Sequence, residues 1–212
     1  MASPDLNRAL KQASALRDPA QRSVQIAVVL AEALREVGQD PVLVGGAAVE
    51  FYTRGGYTTA DIDMLAEGGE DLVEVMTRLG FEKFGKDFSH SSLKIYVEFP
   101  GRQLQATETA IRLRIGERSL RIISIEDLIV DRLAAFKYWQ SAVDGVNAMK
   151  LLEVGGEDRA RLLARVREED VEDALRAVQA VREAVLRRKL SKTLANRLLE
   201  TEMRKLKKTK SG

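Results

Sequence analysis

Apolar and polar residues alternate in two different ways along this chain. Up to about Ile123, short segments with a period of two residues are interspersed with segments that have the spacing of amphipathic helices. From Ser124 onward, almost every segment has the helical spacing. We therefore expect an α/β domain over residues 1–123 and a helical domain over residues 124–212.

The same spacing predicts the individual elements. The expected strands of the N-terminal domain are 41–44, 61–65, 81–88 and 93–99, and its expected helices include 18–37, 47–53 and 70–79. One or two further strands are expected in 104–123, with a turn at Gly116-Glu117. Helices are expected after Ser124, at 142–154 and 159–167, and along a stretch from 168 to 206. This arrangement predicts an α+β fold.

The segment VLVGGAAVEFYTRGGYTTADIDMLAE, residues 42–67, combines a glycine pair with an aspartate pair. Gly45 and Gly46 stand where the first of these strands gives way to a helix. Glycine lets the backbone come close to a ligand, and the first N–H groups of a helix attract anions. The pair therefore predicts a phosphate-binding turn, with an ordinary tight turn as the alternative.

Asp61 and Asp63 lie two residues apart in a predicted strand, so both side chains project from one face while Ile62 points into the core. Neighbouring carboxylates repel each other, and a divalent cation removes that conflict. Mg²⁺ prefers carboxylate oxygens together with phosphates and water. The pattern predicts a metal site, and the alternative is a solvated edge strand with two exposed acids.

The order of strand, Gly-Gly, helix and Asp-apolar-Asp strand resembles the nucleotidyltransferase superfamily, whose fold is that of DNA polymerase beta. Val44-Gly45-Gly46 and Asp61-Ile62-Asp63 match its first two parts, and Glu98 in KIYVEFP stands where a third acid is found. The segment SIEDLIVDRLAAFKYW, residues 124–139, is similar to a helix start in the small bacterial group that includes minimal nucleotidyltransferases and abortive-infection toxins. The resemblance covers roughly residues 42 to 139.

The resemblance implies a fold and a reaction. The fold is a mixed β-sheet with flanking helices, followed by a helical region. The reaction moves a nucleoside monophosphate from a nucleoside triphosphate such as ATP to an acceptor hydroxyl, and it uses Mg²⁺ or Mn²⁺. The implied metal-binding and catalytic residues are Asp61, Asp63 and Glu98, and the implied nucleotide-binding residues are Gly45, Gly46, Thr59, Arg132 and Lys137.

The chain departs from the superfamily pattern at the third acid, before the Asp-apolar-Asp strand and in the loop 47–60, which is slightly long. Glu98 is one methylene longer than the usual Asp, and Gly56-Tyr57 stand near where an Arg is often found. These departures favour an alternative, a nucleotide-binding module without turnover that acts in a two-protein system of the toxin–antitoxin kind. For Glu98 the alternative is a surface acid. For Arg132 and Lys137 it is pairing with Asp127 or Asp131 on the helix surface.

Composition narrows the function classes. The chain has no cysteine and a single histidine, His90. Disulfides, thiol catalysis and multi-histidine metal sites are therefore excluded. The sequence has neither a secretory signal pattern nor an apolar stretch long enough for a bilayer, so we expect a cytoplasmic protein without membrane contacts.

The C-terminal segment RRKLSKTLANRLLETEMRKLKKTKSG, residues 187–212, is strongly basic although the net charge of the chain is only +2. Clustered Lys and Arg predict an RNA-contacting arm, which favours an RNA such as tRNA as the acceptor; a protein acceptor is also open. The alternative is a solvated helix whose basic end complements the helix dipole. A partner protein is also expected if the chain acts in a two-protein system.

Overall fold

A computed structural model of the chain describes residues 4–208. Its backbone contacts divide the chain into two compact units, Met1–Ser124 and Ile125–Gly212. The end of the basic tail, residues 209–212, lies outside the described residues. The predicted α+β class is confirmed, because a mixed sheet with flanking helices is followed by helices alone.

The first unit is built around a mixed sheet of seven strands in the order β3-β4-β5-β2-β1-β7-β6. Its elements are α1 (Pro4–Ser14), α2 (Pro19–Arg35), β1 (Val42–Leu43), α3 (Gly45–Tyr52), β2 (Asp61–Leu65), α4 (Glu70–Arg78), β3 (Glu82–Phe84), β4 (Asp87–His90), β5 (Ile95–Glu98), β6 (Ala110–Ile115) and β7 (Arg118–Ile123). The pairs β2–β5 and β1–β7 are parallel, and the other neighbours are antiparallel.

The two faces of this sheet differ in chemistry. One face is apolar and buried, and its residues include Leu43, Ile62, Met64, Val97, Leu120 and Ile122. Strand alternation sends the intervening residues to the opposite face. That face, which we call the carboxylate face, carries Asp61, Asp63 and Glu98 in half-buried positions.

Two details of the first unit differ from or refine the sequence prediction. The predicted strand 81–88 was wrong as a single strand, because Gly85 has a φ of +63° and turns the chain between β3 and β4. The segment 104–123 supplies two strands, β6 and β7, joined by Gly116-Glu117 as predicted.

The second unit consists of helices over its described residues. They are α5 (Ile125–Tyr138), α6 (Ala142–Val154), α7 (Arg159–Glu168), α8 (Glu172–Arg188) and α9 (Lys192–Lys208). The prediction of continuous helix over 168–206 was wrong. Asp170 and Lys189 have φ values of +52° and +50°, which a right-handed helix cannot contain, so the chain breaks at both residues. Ser191 then accepts a hydrogen bond from the Leu194 N–H as α9 begins.

A buried ion-pair network connects α5 with α7 inside this unit. The Asp127 side chain is fully buried and accepts hydrogen bonds from Arg161 at 2.6 Å and Arg165 at 2.8 Å. Burial opposes the charge of Arg165, but its hydrogen bonds to Asp127, Glu168 and Glu169 raise its pKa above the ordinary value. No helix within residues 4–208 is both long and apolar enough to cross a membrane.

Candidate functional site

The three predicted carboxylates lie side by side on two parallel strands. Asp63 of β2 is directly opposite Glu98 of β5, and Asp61 is directly opposite Tyr96. Ile62, between the two aspartates, is 3% exposed and points into the core as predicted. Two strands that are distant in the sequence thus bring all three acids to one face of the sheet.

The glycine pair forms the first turn of α3 and contacts one of these acids. The Gly46 N–H donates a hydrogen bond to Asp63 Oδ2 at 2.9 Å. Gly45 has a φ of +59°, and a Cβ on this residue would lie 2.6 Å from Asp63 Cγ. Asp63 therefore occupies the start of α3 as a helix cap would, and only glycine leaves room for it.

The segment before β2 packs on the same turn. The Thr59 hydroxyl accepts a hydrogen bond from the Asp61 N–H at 3.3 Å. A Cβ on Gly46 would lie 3.1 Å from Thr59 Oγ1 and 3.4 Å from Tyr57 Cε1. Thr59, which the superfamily pattern suggested, and Tyr57, which it did not, both border the start of α3.

Tyr96 is a neighbour of the acids that the sequence prediction missed. Its hydroxyl donates to Asp87 Oδ2 at 3.1 Å, which holds the ring on the carboxylate face. Loss of hydration, the hydrogen bond to Asp87 and the negative charges of Asp87, Glu98 and Asp61 together raise the pKa of Tyr96. Strand alternation from Glu98 is the sequence signal that could have found it.

The donor set of this face suits a hard cation. Asp61, Asp63 and Glu98 offer only oxygen ligands. Within residues 4–208, no three carboxylate or imidazole side chains are gathered closely enough to enclose an ion. The acids form an open row instead. Such a row fits Mg²⁺, which binds through one or two carboxylates, substrate phosphates and retained waters rather than in an all-protein cage.

Arg132 and Lys137 belong to the second unit, where both form ion pairs. Arg132 bonds to Asp131 and, at 2.8 Å, to Asp144. The alternative pairing with Asp131 is therefore present. The Lys137 side chain is 6% exposed and contacts Asp173 at 3.0 Å and Asp170. Burial opposes its charge, but these acids raise the pKa of Lys137.

Comparisons with known proteins give little beyond this geometry. No protein-family model matches the sequence, and no curated protein matches it. Among solved structures, the chain is similar to the crystal structure of an antigenic nucleotidyltransferase-like protein from Paracoccidioides brasiliensis. The identity is 18%, the match covers 80% of this chain and 93% of that one, and the TM-score is 0.49.

Proposed function

We propose that this chain is a metal-dependent nucleotidyltransferase of the superfamily that its motifs resemble. It moves a nucleoside monophosphate from a nucleoside triphosphate to an acceptor hydroxyl. One observation carries this proposal: Asp63 is opposite Glu98 in the β2–β5 register, and the same Asp63 is hydrogen-bonded to Gly46 at the start of α3. The row of acids and the glycine turn are therefore one site.

Each part of the site has a role in this reaction. The glycine turn receives the β- and γ-phosphates, because the backbone at Gly45 and Gly46 carries no side chain that would keep a ligand away. Thr59 borders the same turn and contacts the nucleotide. Arg132 and Lys137 remain predicted phosphate contacts, and a phosphate would have to compete with the aspartates that now pair with them.

Asp61, Asp63 and Glu98 would hold Mg²⁺ or Mn²⁺ at the triphosphate. When bound, the cation neutralises phosphate charge and acts as a Lewis acid. The acceptor oxygen forms a bond to the α-phosphorus, and the bond from that phosphorus to the bridging oxygen breaks. Glu98 accepts the proton of the attacking hydroxyl, and pyrophosphate leaves with the electrons of the broken bond.

Label transfer tests this proposal. The purified chain is incubated with each α-phosphate-labelled nucleoside triphosphate, Mg²⁺ or Mn²⁺ and small RNA. The variant Asp61→Asn/Asp63→Asn should lower incorporation by at least about a hundredfold, because several kcal/mol of charge stabilisation is lost. The matched control is Asp71→Asn/Glu74→Gln, which neutralises two exposed acids of α4 and should transfer normally. Undiminished transfer by the first variant would end the proposal.

A second function is favoured by the contact between Gly46 and Asp63. A carboxylate that caps α3 stabilises the fold whether or not it binds a metal. The alternative is thus a nucleotide-binding module with little turnover, in a two-protein system of the toxin–antitoxin kind. It predicts nucleotide binding by calorimetry with no labelled product under any condition, and with unchanged binding after Glu98→Gln.

The basic C-terminal segment is proposed to contact an RNA acceptor. Truncation cannot test this, because Ala195, Leu199 and Leu206 of α9 are buried and their removal would expose the core of the second unit. Charge substitution is the better test. Replacing Arg188, Lys189 and Lys192 with Gln should weaken RNA binding and reduce its salt dependence.

A further inference from the structure

We propose that a cavity beside the carboxylates binds one nucleotide of a single-stranded nucleic-acid acceptor. The cavity lies within the first unit and has a volume of about 570 Å³. That volume falls in the range of small-molecule sites. Val42 and Leu65, which are paired in the β1–β2 register, line it. The identification of the ligand as the acceptor rests on the proposed nucleotide transfer, whereas the binding site is argued from the cavity itself.

The cavity opens on the carboxylate face. Leu65 lies two residues after Asp63 in β2, so it points to the same side at a distance of roughly 7 Å along the strand. Val42 is paired with both Leu65 and Arg121, which places the side chain of Arg121 on this face too. A ligand in the cavity is therefore beside the acids.

The surroundings of the cavity carry excess positive charge. Arg35, Arg112 and Arg121 all contact Asp40, so three positive charges surround one carboxylate. Burial works against the charge of Asp40, but hydrogen bonds from Arg112 and Arg35 hold its pKa below the ordinary value. Arg102 also lines the cavity.

Two acids moderate this charge, and one more arginine extends it. Glu67 and Glu108 line the cavity as well, and Glu108 already accepts a hydrogen bond from the Gln105 N–H at 2.8 Å. Arg114 lies two residues from Arg112 in β6 and is exposed on the same face. The arginines on this edge of the sheet form a strip suited to successive phosphates of a nucleic-acid strand.

Gln39 supplies the second, independent observation. It lines the cavity and is only 8% exposed. Within residues 4–208, no donor reaches its Oε1 atom. Buried polar atoms are nearly always paired, so this one marks a place for a donor from a ligand.

The amide of Gln39 narrows the chemistry of that ligand. It presents an acceptor and a donor next to each other, which is an arrangement that pairs with the exposed edge of an unpaired base such as adenine. The apolar side chains of Val42, Leu65 and Leu104 offer a surface for the faces of the base. A base can enter only if it is unpaired, and therefore the acceptor is single-stranded.

Binding of short fluorescent RNA strands to the full-length chain tests the proposal, with neither nucleoside triphosphate nor metal present. Gln39→Leu should weaken binding of an adenine strand about tenfold and leave an abasic strand, which has no base edge, unchanged. Its thermal midpoint should be equal or higher, because an unpaired buried polar group is removed. Arg121→Gln should weaken both strands and lower the salt slope by about one.

Arg118→Gln is the matched control. Arg118 lies in β7 like Arg121 and is ion-paired with Glu32, but it points to the opposite face of the sheet. Equal weakening of RNA binding by Arg121→Gln and Arg118→Gln would overturn the proposal. It would show that RNA is attracted by the positive charge of the chain in general and not by the cavity. So would unchanged binding of the adenine strand by Gln39→Leu, or binding that is lost only on substitution of Arg188, Lys189 and Lys192.

The result is separable from the test of nucleotide transfer. If RNA binding depends on Gln39 and Arg121 but the chain transfers no label, the cavity proposal holds and the nucleotidyltransferase proposal fails. If label transfer needs Asp61 and Asp63 but RNA binding does not depend on Gln39 and Arg121, only the cavity proposal fails. Absence of binding by any strand at low salt also overturns the inference.

Discussion

Gly45 and Asp63 are packed so closely that no side chain fits between them. A Cβ at Gly45 would lie 2.8 Å from Asp63 Cβ and 2.6 Å from its Cγ, and the backbone of Gly45 has a φ of +59°. The glycine is therefore required by two separate features, its conformation and its contact. Both fix the position of an acid that we place at the centre of the site.

Gly45→Ala should lower the stability of the first unit and displace the Asp63 carboxylate. A positive φ alone costs an alanine about 1 kcal/mol, and the collision with Asp63 adds to it. Thermal unfolding gives the stability, and calorimetric titration with a nucleoside triphosphate and Mg²⁺ gives the effect on the site. We expect a lower midpoint and at least tenfold weaker nucleotide binding.

Gly116→Ala is the control that separates the two causes. Gly116 has a φ of +64°, close to that of Gly45, but a Cβ there meets nothing within 4 Å. It should show the conformational cost without any loss of nucleotide binding. If the two variants are equally stable and bind alike, the contact between Gly45 and Asp63 has no role.

Glu50 should make the stability of the chain depend on pH. It is fully buried in α3, Ser23 donates to its Oε2 at 2.9 Å, and within residues 4–208 no donor reaches Oε1. Burial raises the pKa of Glu50. The folded state therefore prefers the protonated form, whose contribution is complete below the unfolded pKa of about 4.3 and is lost as pH rises through the folded value.

Glu50→Gln should be more stable than the natural chain at neutral pH, by on the order of 1 kcal/mol, because the cost of the buried charge is removed. The advantage should shrink below about pH 4, where Glu50 is protonated in both states. Unfolding midpoints across this pH range measure it, with the exposed Glu117→Gln as control. A constant difference at every pH would contradict the assignment.

The core of the site follows from local pattern. Asp61 and Asp63 share a face because strands alternate, and Gly45-Gly46 begins a helix because a strand ends there. Those statements need only neighbouring residues. The same is true of the turn at Gly116-Glu117, which sits between two alternating segments.

The rest of the site depends on contacts between distant segments, which period and composition do not encode. The position of Arg121 beside Val42 is set by the parallel pairing of β7 with β1, and Arg112 follows from the β6–β7 register. No sequence pattern points to Gln39 as a site residue, because a single glutamine in a loop is common. The break at Lys189 was missed because a lysine seldom adopts a positive φ.

Asp127 should dominate the stability of the second unit. Its side chain is fully buried between Arg161 and Arg165, and Arg165 is itself only 5% exposed. Asp127→Ala would leave a buried positive charge without its main partner, at a cost of about 3–5 kcal/mol. Urea unfolding followed by helical circular dichroism measures it.

Asp131→Ala is the control for that experiment. Asp131 lies one turn further along α5 and pairs with Arg132, but its side chain is 45% exposed. A pair at this exposure contributes about 1 kcal/mol or less. Losses of similar size in the two variants would show that the network around Asp127 is not a stabilising centre.

Asp40 should make stability depend on pH in the direction opposite to Glu50. Burial disfavours its charge, yet the hydrogen bonds from Arg112 and Arg35 leave its pKa lowered. A lowered folded pKa gives stability that is present above the unfolded value of about 3.9 and is lost as pH falls through the folded value.

Asp40→Asn should therefore be less stable than the natural chain above about pH 4, and the difference should vanish at lower pH. Thermal midpoints measured from neutral to acid pH check this, with the exposed Asp71→Asn as control. If Asp40→Asn still had a lower thermal midpoint at acid pH, Asp40 would stabilise the chain through its packing and not through attraction between its charge and the three arginines.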